Sequence, residues 1–123
     1  MCELQESVNN LSDICHCAAV DGGWWHDLET GERLKRNKAE LLCLIHSEIS
    51  ECLEGVRKDC KDTHLKHRKM EEVELADALI RIFDYAGAFG LDLGGALVEK
   101  LKYNQQRADH KPENRAMVGG KKI

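Results

Sequence analysis

The chain has one proline, Pro112, and it stands near the end of 123 residues. Everything before it is free of the residue that removes a backbone N–H and clashes with the preceding helical turn. Over that length apolar residues recur at steps of three and four, and Val and Ile do not alternate with polar neighbours. The pattern predicts helices and gives strands no support.

Leu4, Val8, Leu11, Cys15 and Ala18 make one stripe of a first helix, expected over about residues 3–19. A glycine-broken segment, "DGGWWHDLETGER", follows it. Leu41, Leu44, Ile45, Ile49, Cys52 and Val56 mark a second helix, over about 37–58. Val73, Ala76, Ile80, Phe83 and Ala86 mark a third, over about 69–89. Gly90 suits the C-terminal end of that helix, and Asp92 can cap a fourth, over about 93–108. The fold class expected is all-α, a four-helix bundle. The apolar stripes are wider than one monomer needs, so helices are expected to pack between subunits of a homo-oligomer. The length suits one domain, expected over 1–108, and "DHKPENRAMVGGKKI", 109–123, reads as a polar, mobile C-terminal tail.

Composition removes several classes of function. Hydrophobic residues are 42% of the chain and no apolar run approaches a membrane span, so no membrane partner is expected. The N-terminus lacks a basic stretch followed by an apolar one, as a secretory signal would have. The net charge of −4 argues against a nonspecific duplex binder, so no nucleic-acid partner is expected. The six cysteines do not form paired CxxC knuckles and read as reduced thiols of a cytoplasmic protein, mostly packing atoms.

The sequence points to chemistry where carboxylates sit among core positions. "HSEISECLEG" sets Glu48 and Glu51 three apart, and "VELADALI" sets Glu74 and Asp77 three apart. Residues at that spacing lie about 60° apart around a helix and about 4.5 Å apart along it, so each pair shares a face. If the second and third helices pack antiparallel, the four carboxylates can face one another. Two such charges at about 5 Å repel by roughly 3 kcal/mol at an effective dielectric of 20. A hard cation with oxygen ligands offsets that cost, and Mg²⁺, with Mn²⁺ able to substitute, fits carboxylates better than zinc does. The competing reading is ordinary solvated helix charge, because charged residues are 33% of the chain. It makes the protein a non-catalytic helical interaction module with acidic faces. Glu54, Glu71, Glu72 and Asp84 also lie near these faces and read as surface or supporting charges.

Lys100, Asn104 and Arg107 follow at steps of four and three on one face of the fourth helix. Lys and Arg meet phosphate oxygens well, although cations near a helix C-terminus are also favourable in themselves. Trp24 and Trp25 stand together in the glycine-rich loop of an aromatic-poor chain. One can stack on a flat ligand such as a base, or plug the end of the bundle. His26, Lys35, Asn37 and Lys38 flank the same loop as candidate polar contacts.

Taken together these residues resemble the MazG-type all-α nucleotide pyrophosphohydrolases, a superfamily that also holds dimeric dUTPases and dCTP pyrophosphatases. The resemblance rests on Glu48-Ile-Ser-Glu51 followed by Glu74-Leu-Ala-Asp77, on the "GLDL" turn, and on Lys100, Asn104 and Arg107 in the last helix. It covers about residues 35–108. It implies that Glu48, Glu51, Glu74 and Asp77 hold Mg²⁺ and that water attacks the α-phosphorus of a nucleoside triphosphate, giving the monophosphate and pyrophosphate. It further implies Glu51 as the base with Glu48 beside it, Lys100, Asn104 and Arg107 on the β- and γ-phosphates, and Trp24 or Trp25 on the base. Phage-type relatives act on deoxynucleotides such as dGTP or dCTP and assemble as dimers or tetramers of paired dimers. Two positions depart from the pattern. Ser47 stands where many relatives have a further acidic residue, and Arg81 stands where many have an apolar or aromatic one.

Overall fold

The structure, a computed structural model, describes residues 2–123, so Met1 lies outside it. Five α-helices are formed among the described residues: α1 (Glu3–Asp21), α2 (Lys38–Lys58), α3 (Met70–Ala88), α4 (Leu93–Gln106) and α5 (Pro112–Arg115). A 3-10 turn covers Ala108–His110, and the described residues hold no strand. The all-α expectation is met, and the four long helices start and stop within two residues of the expected limits. None of the described helices is long and apolar enough to cross a membrane. The chain divides into two compact units, Asn10–Leu91 and Met1–Asn9 with Asp92–Ile123.

In the unit Asn10–Leu91, α2 and α3 form an antiparallel hairpin. Asn37 caps α2, its side chain accepting a hydrogen bond from the Glu40 N–H at 3.2 Å. Asp59 ends α2 in the left-handed region at φ 47°. Asp62 then turns the connection by accepting from the N–H groups of His64 and Leu65. The hairpin closes tightly because Gly55 faces Met70. A Cβ on Gly55 would sit 2.9 Å from the Met70 side chain. Cys52, one turn earlier, reaches the Glu71 carbonyl with its thiol. Descending α2 while ascending α3 brings Glu48 opposite Arg81 at 2.9 Å. The end of α3 has two reverse bonds, Gly90 N–H to Gly87 C=O and Leu91 N–H to Ala86 C=O. Gly90 takes the φ of +64° that this motif requires.

The core of this unit is small: Trp25, Leu41, Cys52, Ala78 and Ala86 are its buried apolar residues. Gly87 lets α3 cross α1 closely, since a Cβ there would lie 2.7 Å from both His16 Cβ and the Ser12 carbonyl oxygen. Much of the apolar stripe remains uncovered in a single chain; Ile49, Leu53, Leu75 and Leu79 are about half exposed or more.

In the other unit, Asp92 caps α4 by accepting from Gly95 N–H at 2.8 Å, as its position in the sequence suggests. Gln5 and Asn9 donate to the same carboxylate, and Asn9 Oδ1 in turn accepts from Gly94 N–H at 2.8 Å. Residues 109–123, expected as a polar tail, carry α5 and local bonds: Arg115 donates to the carbonyls of Lys121 and Lys122.

Candidate metal centre and its cavity

Glu48 from α2 and Glu74 and Asp77 from α3 converge, with one carboxylate oxygen of each within 4.8 Å of the others. Glu48 and Glu74 are buried at 8% exposure each, while Asp77 is half-buried. The hairpin produces this arrangement. The step of three on α3 sets Glu74 and Asp77 side by side, and the antiparallel crossing lays Glu48 against both. Glu51 is exposed at the edge of the group. From that edge it still helps to raise the Glu74 carboxyl, but the group within 4.8 Å has three carboxylates of the four expected.

Buried acids this close together cannot all ionise. The Glu74 carboxyl is pushed up to about 8, first by burial and then by hydrogen bonds and like charge from Glu48 and Glu51. Asp77 is also raised, by burial and by Glu48, against a lowering pull from Arg81. Glu74 Oε2 is buried and has no donor. Its carboxyl neighbours bring acceptor oxygens only, so a bond to them exists only when a proton is shared. A buried oxygen of this kind needs either that proton or a cation. Oxygens on opposite sides of Mg²⁺ stand about 4.2 Å apart and those across Ca²⁺ about 4.8 Å. The three carboxylates could therefore hold a hard dication, the class of ion that their all-oxygen donor set suits. The His16, Cys15 and Cys17 run does not join this or another such group among the described residues.

Beside the cluster lies a cavity of about 570 Å³, a size that accommodates a small organic ligand. Glu48, Asp77 and Arg81 line it, and so do Trp24, Trp25 and Arg36. The two tryptophans divide their roles. Trp25 is 1% exposed, donates its indole N–H to Asp84 at 2.9 Å, and packs edge-on against His16 and Phe89. Arg33 and Arg36 lie over its ring. Its surface is thus occupied by the protein, the role of a plug. Trp24 is 64% exposed and offers an open ring at the cavity.

The other residues expected near the base have local work. Asn37 caps α2. Lys38 lies over Phe89 at 4.4 Å and near Tyr85. His26 pairs with Arg33 in an isolated antiparallel bridge. Lys100 and Asn104 on α4, with Arg107 capping its end, belong to the other unit. Lys100 lies over Tyr103, Arg107 is held by Asp109 through two bonds, and Asn104 Oδ1 is buried without a donor. The residues that line the cavity, from Cys15 to Tyr85, belong to the unit Asn10–Leu91.

Two residues gain weight that the sequence reading did not give them. Asp84, read as a supporting or surface charge, joins α1, the loop and α3 by receiving His16 Nδ1 and Trp25 Nε1, both at 2.9 Å. Arg81 pairs with the cluster itself. Asp77, Arg81 and Asp84 follow at steps of four and three, which puts them on one face of α3. That spacing was the available signal.

Compared with models of known protein families, with curated proteins and with solved structures, the chain matches none.

Proposed function

We propose that the protein is a Mg²⁺-dependent nucleotide pyrophosphohydrolase, converting a nucleoside or deoxynucleoside triphosphate to its monophosphate and pyrophosphate. The observation that carries the reading is Glu74 Oε2, a buried carboxylate oxygen without a donor among acidic neighbours and next to a ligand-sized cavity. The motif resemblance to MazG-type enzymes supplies the reaction class. Glu48, Glu74 and Asp77 would hold the ion, with Glu51 beside them. The ion supplies charge neutralisation to phosphate oxygens and acidity to an attacking water. Glu51, exposed at the edge of the cluster, would accept that water's proton. Trp24 offers its open face to a base at the cavity. The assignment of Lys100, Asn104 and Arg107 to the β- and γ-phosphates rests on the resemblance alone. The packing of helices between subunits would cover the exposed Ile49, Leu53, Leu75 and Leu79.

The test is product chromatography across the eight common nucleoside triphosphates, each with Mg²⁺, with Mn²⁺ and with chelator. Monophosphate and pyrophosphate from at least one nucleotide, only with metal, is the expected result. Silence across the whole panel with both metals would return the chain to the class of helical interaction modules.

A further inference from the structure

The acidic cluster already holds a cation, and it is Arg81. Its Nε donates to Glu48 Oε1 at 2.9 Å. Glu48 is its one hydrogen-bond partner among the described residues. The bond uses the side of the guanidinium and leaves both Nη groups, the fork that grips planar anions, uncommitted. The two partners differ in exposure: the Arg81 side chain is 40% exposed and that of Glu48 10%. Both border the cavity, and the guanidinium, the more exposed partner, can turn away once another cation takes its place on the buried Glu48. Asp77 attracts it from one turn earlier on the same helix, and both border the cavity.

Arg36 also borders that cavity, but it is engaged elsewhere. Its Nη1 donates to the Trp24 carbonyl at 3.2 Å, and its guanidinium covers Trp25. Arg81 alone of the two is held by an oxygen belonging to the candidate ion ligands. A dication seated among Glu48, Glu74 and Asp77 claims that oxygen and repels the guanidinium. A phosphate entering the same cavity brings the opposite charge, in the geometry Arg matches with two parallel bonds.

We propose that Arg81 is an exchangeable counter-cation of the site: it neutralises Glu48 until a divalent ion binds, then turns its guanidinium to the phosphate oxygens of the substrate in the adjoining cavity. The proposal rests on the phosphate reading of the site and gives Arg81 a binding role that the sequence resemblance does not contain.

The experiment compares wild type with Arg81→Met and Arg81→Lys, each checked for helicity by circular dichroism. Mn²⁺ binding is followed by electron paramagnetic resonance of the free ion, and labelled pyrophosphate binding by equilibrium dialysis at fixed free Mg²⁺. Arg81→Met should bind Mn²⁺ about tenfold more tightly, because the competing charge is gone, and pyrophosphate at least about tenfold more weakly, because the fork is gone. Arg81→Lys keeps the charge without the fork, so Mn²⁺ affinity should stay near wild type while pyrophosphate affinity drops. Unchanged pyrophosphate affinity in both variants would reduce the pair to a structural ion pair. Weaker Mn²⁺ binding by folded Arg81→Met would show that Arg81 supports the ion rather than competing with it. If Arg81→Met does not fold, the Lys variant decides through the pyrophosphate arm. Wild-type protein that binds neither Mn²⁺ nor pyrophosphate overturns the site reading itself, whereas wild-type binding with indifferent variants overturns only the role of Arg81.

Discussion

Removing divalent ions and raising the pH should turn the acidic cluster against the fold. Glu74 has an ordinary carboxyl value of 4.5 in the unfolded chain and about 8 in the folded one. Between those values the folded state holds a proton that the unfolded state has lost, so stability falls as pH rises. At 1.36 kcal/mol for each pH unit, the interval from 4.5 to about 8 sets a ceiling of about 5 kcal/mol. Only the part from pH 6 to about 8 falls between the two pH values of the assay, at most about 3 kcal/mol, and relaxation of the half-buried Asp77 and exposed Glu51 away from the group should bring it to about 1–2 kcal/mol. Asp77, also raised by burial and by Glu48, adds to the loss with the same sign. The assay is urea denaturation in chelator and reductant at pH 6 and at pH 9, repeated with 10 mM Mg²⁺. Wild type should lose stability between the two pH values in chelator and regain it with Mg²⁺, because the ion replaces the proton. Glu74→Gln keeps the shape and removes the charge. It should lose much less than wild type toward pH 9 and gain little from Mg²⁺. A wild-type midpoint that is flat from pH 6 to 9 in chelator, or an equal Mg²⁺ response in Glu74→Gln, would refute the reasoning.

Glu51→Gln should leave the circular dichroism spectrum unchanged and lower turnover by about 10²–10⁴, the usual span for loss of a general base; full activity would move that role elsewhere. Trp25→Phe removes the indole N–H from Asp84 and should cost about 1–3 kcal/mol in urea denaturation, whereas a neutral effect would show that Asp84 is satisfied without it. Asn37→Ala should cost about 1 kcal/mol of stability through loss of the α2 cap, with no selective effect on nucleotide affinity. Trp24→Ala should instead leave stability nearly unchanged and weaken nucleotide binding by about 1–3 kcal/mol, read as KM or by fluorescence titration.

Local chemistry made much of this architecture legible in the sequence. Asp92 and Gly90 terminate helices by means that need no distant partner, a carboxylate accepting backbone N–H groups and a residue free to adopt positive φ. The convergence of Glu48 with Glu74 and Asp77 was readable because a step of three fixes a face, and antiparallel packing of consecutive helices lets the two faces meet. What could not be read depends on residues far along the chain. Trp24 and Trp25 are chemically identical neighbours; their division into open and buried rings is decided by Asp84 and Phe89, more than 55 positions away. Arg81 looked like a departure from a family pattern, and only the crossing of α2 and α3 reveals Glu48 as its partner. Asn37 and Lys38 looked available to a ligand, but the helix end and the aromatic pair beside them occupy their polar groups.

The central claim is that α2 and α3 together hold one hard dication. A crystal soaked in Mn²⁺ and measured near the manganese absorption edge tests it most directly. The account predicts an anomalous peak bounded by carboxylate oxygens of Glu48, Glu74 and Asp77, with Arg81 turned away from Glu48. No peak there at millimolar Mn²⁺, with Arg81 still on Glu48, would contradict it.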